Sequence, residues 1–189
     1  MPTRRSTTAR ATRSRASRLC AVVLTAAVAG LAAGPAGAGT VTLGSGLPPW
    51  RLGQRYVVRP GLVRSERFSA NGGVGCVPAV SAATRIDHYR GLRVAWRRGP
   101  KGRLYLIDVA TTRAGDRSGD GFVIGVSRRV SVQRRHPGSR FAYGKGPLRL
   151  GSTSITLFRR TGKETFTTLV YWFDARGVLT GLETFAGGC

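Results

Sequence analysis

The sequence predicts an α+β fold of two tandem units, each with one helix and an antiparallel sheet. Similar segments recur about 75 residues apart, and each recurrence places a short helical stretch before alternating strands. A leader segment precedes both units. The predicted boundaries are a signal peptide over 1–38, a first unit over 39–112 and a second unit over 113–189.

The first segment has the pattern of a secretory signal peptide. Six arginines and no acid precede residue 19, an apolar stretch covers 19–33, and Ala36-Gly37-Ala38 supplies the small residues of a cleavage site. A membrane anchor is the alternative, but a spanning helix needs roughly 20 apolar residues. This stretch is shorter and ends at Gly34-Pro35. We therefore expect a secreted or envelope-associated protein without a transmembrane segment once the leader is removed.

Removal of the leader leaves two cysteines, Cys76 and Cys189. An even number of cysteines in an oxidising compartment is typical of a disulfide. We predict a bond between these two residues, with two free thiols as the alternative.

Two hairpin segments resemble each other across the proposed boundary. Residues 94–97 match 170–173 around a shared tryptophan at an offset of 76, and 101–104 match 176–179 at an offset of 75. A nearly constant offset predicts a duplication. Chance similarity between two β-hairpins is the alternative.

In the first unit, a short helix is predicted over 54–59, where Pro60-Gly61 ends it. Strands are predicted over 84–90, 92–97 and 103–111. Period-two alternation indicates 92–97, and β-branched and aromatic residues indicate 103–111. Residues 84–90 are the counterpart of 154–160 in the second unit.

In the second unit, Ser127 is the predicted N-cap of a helix that ends before His136-Pro137. Strands over 154–160, 166–173 and 178–185 are predicted to form a meander, with glycine in both turns.

This arrangement resembles the β-lactamase inhibitor protein family, whose fold is related to single-unit lipoproteins of the outer-membrane assembly machinery. The matching residues are the apolar steps before glycine, Leu52-Gly53 and Ile124-Gly125, and the hairpins that end in 103–111 and 178–185. The resemblance implies a helical layer on each sheet and an exposed sheet face that grips a protein partner. The chain lacks the disulfide in each unit and the acidic, aromatic loops of the inhibitors, so the resemblance bears on fold rather than on activity.

The sequence offers little for catalysis. His88 lies on a predicted strand, His136 lies where a helix ends, and no G-x-S-x-G motif is present. Asp108 and Glu183 occupy matching strand positions, where paired carboxylates could hydrolyse glycosides, but we expect them to pair with arginines on neighbouring strands. We predict a non-enzymatic protein without cofactors, with a small secreted hydrolase as the remote alternative.

The loop with Asp116 and Asp120 lacks the alternating oxygen ligands of a calcium site, so we expect no metal and a solvated loop. The three tryptophans, Trp50, Trp96 and Trp172, are expected in the core.

Positive charge dominates the chain. Its formal net charge is +23, and removal of residues 1–38 leaves 25 basic and eight acidic side chains, or +17. We predict a protein partner bound through an exposed sheet face, with Arg93, Arg97, Tyr171 and Phe173 as binding residues. An anionic cell-envelope polymer is the alternative partner. Nucleic acid is not expected outside the cell, and we expect a monomer.

Overall fold

The described residues of this computed structural model are 38–68, 83–143, 152–163 and 165–188. They form twelve strands, one 3₁₀ turn (Pro100–Gly102) and one helix, α1 (Arg129–Arg135). The strands are β1 (Thr40–Val41), β2 (Gly46–Leu47), β3 (Trp50–Arg51), β4 (Leu62–Arg67), β5 (Arg85–Tyr89), β6 (Leu92–Arg98), β7 (Leu104–Thr111), β8 (Arg117–Ser118), β9 (Arg140–Tyr143), β10 (Thr153–Arg160), β11 (Thr165–Phe173) and β12 (Leu179–Gly188).

Eight of these strands form one antiparallel sheet in the order β4-β5-β6-β7-β12-β11-β10-β9. Each half of the sheet is a meander of four strands, and the halves meet where β7 pairs with β12. This pairing places Asp108 opposite Phe185 and Val109 opposite Thr184. The boundary predicted between 112 and 113 falls just after β7, and the duplication behind it stays a prediction.

One face of the sheet, which we call the core face, carries the hydrophobic core. It presents Trp96, Tyr171 and Phe173 among its fully buried side chains. The segments before β4 and between β7 and β9 cover this face, and they bury Trp50, Ile124 and other apolar residues against it. Alternation explains the arrangement, because every second residue of a strand points to the same side of the sheet.

The predicted strands are confirmed, and β4 and β9 are additional strands at the two edges of the sheet. Along β6, the apolar residues Leu92, Val94 and Trp96 are buried on the core face, as the period-two pattern predicts. The sequence does not predict β4 and β9, because a strand at the edge of a sheet pairs on one side only and its apolar pattern is weaker.

The predicted fold class is wrong. The described residues form a mostly β structure with a single helix on one sheet, rather than two helix-plus-sheet units. Residues 54–59 are not helical: the Tyr56 N–H donates to the Leu104 carbonyl at 2.9 Å, and the Gln54 carbonyl accepts from the Leu106 N–H at 2.9 Å.

Residues 54–59 are extended for two reasons, one in the local sequence and one in the tertiary structure. Tyr56, Val57 and Val58 are aromatic or β-branched residues, which favour strands over helices. The segment also satisfies the backbone of β7 at Leu104 and Leu106, beyond the point where β12 pairs with that strand.

The second predicted helix is confirmed, but its predicted cap is wrong. α1 spans Arg129–Arg135, with Arg128 as its N-cap and no side-chain hydrogen bond at that cap. The Ser127 hydroxyl instead accepts a hydrogen bond from the Val123 N–H at 2.8 Å, so it closes the preceding turn.

Several predictions lie outside the described residues. They include residues 1–37 of the predicted signal peptide and both cysteines of the predicted disulfide, Cys76 and Cys189. Within the described ranges, no helix is long and apolar enough to cross a membrane.

Candidate functional site

The second face of the sheet, which we call the ionic face, carries a charged cluster at its centre. Residues directly opposite each other in an antiparallel ladder point to the same side. The ladder places Arg93 beside Ala110, and Ala110 beside Glu183, across β6, β7 and β12. Two residues further along each strand, the same face carries Ala95, Asp108 and Phe185.

A buried arginine joins two buried carboxylates at this centre. Arg93 Nη2 donates to Asp108 Oδ2 and, at 2.9 Å, to Glu183 Oε1. All three side chains are almost fully buried. The expected pairing of Asp108 and Glu183 with an arginine on a neighbouring strand is therefore confirmed.

A tryptophan completes the cluster. The Trp172 indole N–H donates to Glu183 Oε2 at 3.0 Å, so both oxygens of Glu183 are occupied. Arg93 links strands from both halves of the sheet, because β6 belongs to one meander and β12 to the other. The cluster thus fastens the junction between the halves.

Burial controls the ionisation of the two carboxyl groups. Burial and the neighbouring charge of Asp108 raise the pKa of Glu183 to about 8, and they outweigh the opposing effects of Arg93 and Trp172. Burial also raises the pKa of Asp108 to about 6, although Arg93 opposes the shift. One arginine therefore serves two acids, and burial favours a proton on this pair of carboxyl groups near neutral pH.

The cluster is better suited to holding strands than to catalysis. A general acid or base must reach the proton that it transfers, whereas both carboxyl groups are buried and bonded to Arg93. Within the described residues, no group of three or more His, Cys, Asp or Glu side chains could hold a metal ion.

Aromatic rings lie beside the cluster on the same face. The rings of Phe158 and Phe166 have centroids 6.1 Å apart, and those of Phe166 and Phe185 are 6.4 Å apart. Phe158 is 53% exposed, and Trp172 is half-buried. The exposed part of the face therefore offers apolar area in the half formed by β10, β11 and β12.

Exposed arginines lie on the same face of the sheet. The ladder registers place Arg64, Arg97, Arg140 and Arg160 on the ionic face, and all four are exposed. The Arg140 guanidinium lies 5.2 Å from the centre of the Phe158 ring. Among the described strand residues of this face, Glu66 is the one acid besides the buried pair, and its carboxylate lies 2.6 Å from Arg64.

The four predicted binding residues divide between the two faces. Arg93 and Arg97 share the ionic face, where Arg93 is buried and Arg97 is exposed. Tyr171 and Phe173 are fully buried in the core, on the opposite face. The structure therefore brings the two arginines together but separates them from the two aromatic residues.

The sequence interpretation missed Phe158 and misplaced Trp172. Phe158 shares a face with Thr156 and Arg160 at period-two spacing, a pattern that could have indicated an aromatic residue outside the core. Trp172 was expected in the core, but it is half-buried on the ionic face, unlike Trp50 and Trp96, which are buried in the core as predicted.

A second polar cluster connects the end of α1 to the core face. Asp120 accepts hydrogen bonds from the Tyr171 hydroxyl at 2.9 Å and from the Ser118 hydroxyl, and its Oδ2 lies 2.5 Å from His136 Nε2. Burial raises the pKa of Asp120, but these hydrogen bonds outweigh it and hold the pKa below its ordinary value. Because Ser118 donates to the acid rather than to the histidine, the cluster lacks the geometry of a catalytic triad.

The expectation of a solvated aspartate loop is only partly met. Asp116 is buried, where it accepts hydrogen bonds from the Gly39 N–H at 2.8 Å and the Thr111 hydroxyl at 2.6 Å. Asp116 thus fixes the start of the described chain against the end of β7.

Comparisons of this chain with protein-family models, with curated proteins and with solved structures found no match. The resemblance to the β-lactamase inhibitor proteins stays a resemblance in sequence pattern.

Proposed function

We propose that this protein is a secreted, non-enzymatic binding protein that holds an acidic partner protein on the ionic face. The observation that carries the proposal is the combination of half-exposed aromatic rings and exposed arginines on one side of the sheet. Aromatic and arginine side chains supply much of the binding energy in protein interfaces, because they bury large areas and donate several hydrogen bonds.

The buried cluster supports this role by keeping the face rigid. Arg93 joins three strands at the junction of the two meanders, so the exposed residues on either side keep their spacing. A preorganised surface loses less conformational entropy when a partner binds. We expect the protein to act as a monomer and without a cofactor.

The charge supports an acidic partner. The exposed part of the face has four arginines against one acid, and the chain without its leader carries a formal charge of +17. Complementary charge speeds association and selects against basic partners.

An anionic cell-envelope polymer is the second candidate partner, and the charge of the whole chain favours it. The two candidates differ in their response to salt. Charge-driven attraction between exposed groups is largely screened at about 1 M salt, where the Debye length is about 3 Å. Binding that also buries aromatic rings persists under those conditions.

A capture experiment tests the proposal. The secreted protein is immobilised and exposed to proteins from the supernatant and surface of the producing cells, at about 0.15 M and about 1 M salt. The double variant Arg97→Ala/Phe158→Ala should lose at least about 90% of a captured protein that resists high salt, because both residues are exposed on the ionic face.

The matched control is Arg117→Ala/Val126→Ala, which removes an exposed arginine and an exposed apolar residue outside the ionic face. This control should retain the captured protein. Equal retention by both variants would contradict the proposal. Capture of envelope polymer alone, released by high salt, would favour the second candidate.

A further inference from the structure

Over its last four residues, the edge of β10 has no neighbouring strand among the residues that the structure describes. β9 pairs with β10 only from Thr153 to Thr156, where Thr156 lies opposite Arg140. β10 continues to Arg160 and pairs there with β11 alone, within the described part of the sheet. Phe158 and Arg160 are exposed at this edge.

The direction of the backbone groups follows from the ladder. The Thr161 N–H donates to the Thr165 carbonyl at 2.9 Å, so the alternation of an antiparallel pair makes Arg159 bond to β11. The N–H and C=O groups of Phe158 and Arg160 then point away from β11. They continue the side of β10 on which β9 pairs at Ser154 and Thr156.

A groove of about 530 Å³ lies beside this open edge. The segment between α1 and β9, the first residue of β9 and Thr156, Leu157 and Phe158 of β10 line it. The segment before β9 contains Pro137, which has no N–H to donate, and the Ser139 N–H bonds back to the His136 carbonyl at 3.1 Å. This segment therefore forms a turn, and the pairing of β9 with β10 begins only at Arg140.

The groove is basic and partly apolar. Arg135, His136 and Arg140 line it, and the described residues of the lining include no acid. Asp120 lies against His136, so the two arginines carry the uncompensated charge. The exposed Phe158 ring offers an apolar surface beside Arg140.

The opposite edge of the sheet is different. β4 carries the exposed charges Arg64 and Arg67 together with Glu66, and its pairing with β5 has an irregularity between Leu62 and Arg64. Charges and bulges of this kind discourage strand pairing at an edge. The open end of β10 also carries exposed charge, Arg159 and Arg160, but its pairing with β11 is regular, it has no acid among its four residues and it includes an exposed phenylalanine.

We propose that an extended acidic segment of the partner protein binds in this groove and adds a strand to β10. Its backbone would bond to Phe158 and Arg160, its acidic side chains would meet Arg135 and Arg140, and an apolar side chain would pack on Phe158. An anionic polymer without amide groups cannot form the backbone bonds. The inference rests on the proposed function and deepens it, since it names the part of the partner that docks.

The test uses a synthetic decapeptide that repeats Glu-Glu-Val-Val, so that each face of the added strand carries both residue types. Its analogue has N-methyl groups on the amides that would bond to β10. We expect the peptide to slow amide hydrogen exchange at Phe158 and Arg160 by at least about tenfold. The analogue should bind at least about tenfold more weakly, because it loses the donors of the added strand. Inorganic polyphosphate should leave exchange at both amides unchanged.

Two variants isolate the backbone contribution. Arg160→Pro removes the N–H at the open edge, whereas Arg160→Ala removes the same side chain and keeps the N–H. Peptide affinity should fall at least about tenfold more in Arg160→Pro than in Arg160→Ala, measured by fluorescence anisotropy on variants with an unchanged far-UV spectrum.

Equal affinity of the two variants, or equal binding of the peptide and its analogue, would overturn the inference. The proposed function would survive that result if Arg97→Ala/Phe158→Ala still lost its captured protein and the control variant did not. Both would fall if the captured protein also withstood the ionic-face substitutions.

Discussion

At the scale of single residues, the most unusual feature is a buried arginine between two buried acids. Arg93 bonds to both Asp108 and Glu183, so an apolar residue in its place would leave both carboxyl groups without their arginine. A buried charge without a partner costs far more than an exposed one, because the protein interior solvates it poorly. The stability of the sheet therefore depends on the intact cluster.

Replacement of Arg93 should destabilise the protein strongly. Arg93→Met leaves two buried carboxyl groups without their counterion, and we expect a loss of about 3–5 kcal/mol in the free energy of unfolding at pH 8. The control is Arg97→Met, on the same strand and face but exposed, which should change stability by less than about 0.5 kcal/mol. Urea denaturation of both variants measures the difference, and equal losses would contradict the structural role of the cluster.

At the scale of elements, pairing between strands holds the sheet together, and α1 contributes one buried side chain to the core. Val132 is fully buried in the core, whereas Val130 on the same helix is 51% exposed. A seven-residue helix is too short to be stable alone in water, so packing of its apolar side must stabilise it.

Shortening the buried valine should therefore weaken the attachment of the helix. Val132→Ala should lower the free energy of unfolding by about 2 kcal/mol, because it removes buried methyl groups and leaves a cavity. Val130→Ala should change it by less than about 0.5 kcal/mol. Thermal unfolding of the two variants checks the prediction, which fails if the exposed site proves as sensitive as the buried one.

At the scale of the whole molecule, the two halves of the sheet use similar devices. The Gly53 N–H donates to the Leu106 carbonyl and the Gly125 N–H donates to the Leu179 carbonyl, both at 2.8 Å. Both glycines have a positive φ, 79° and 87°, which favours glycine over residues with a side chain. The glycine of each apolar-glycine step recognised in the sequence therefore bonds to the last strand of its own half, which is β7 for Gly53 and β12 for Gly125.

The two tryptophans that match in the sequence, Trp96 and Trp172, do not occupy equivalent positions in the two halves of the sheet. Val109 and Thr184 lie opposite each other at the junction and are 75 residues apart in sequence. At the same separation of 75 residues, Trp96 corresponds to Tyr171 rather than to Trp172. A shift of one residue moves a side chain to the other face of a sheet. Accordingly, Trp96 lies in the core and donates to buried Asp87, whereas Trp172 lies on the ionic face and donates to Glu183.

The stability of the whole fold should depend on pH through Glu183. Its pKa rises from an ordinary value of 4.5 to about 8 in the folded chain, so the folded chain binds more protons than the unfolded chain between these values. The free energy of unfolding should therefore be highest at the acidic end of this interval and fall as the pH rises towards 8.

Glu183→Gln should flatten this part of the pH profile, because glutamine does not titrate and its one amide oxygen can still accept a hydrogen bond from Arg93. The control Glu66→Gln, at a half-exposed carboxylate on the same face, should leave the slope in place. Urea denaturation between pH 5 and about 8 measures both profiles. Asp108 contributes its own slope below about pH 6, so a slope that persists above that pH in Glu183→Gln would contradict the assignment.

The sequence by itself determined where most strands lie and that Asp108 and Glu183 need an arginine, because alternation and charge are local properties of the chain. It also located α1, because His136-Pro137, the residues that end the helix, can be recognised from the local sequence. Only the tertiary structure decided that 54–59 is extended, that β7 joins β12, and that Trp172 and Tyr171 lie on opposite faces. The physical reason is that period-two alternation separates the two faces of a strand without saying which face packs inside, and contacts between distant segments make that choice.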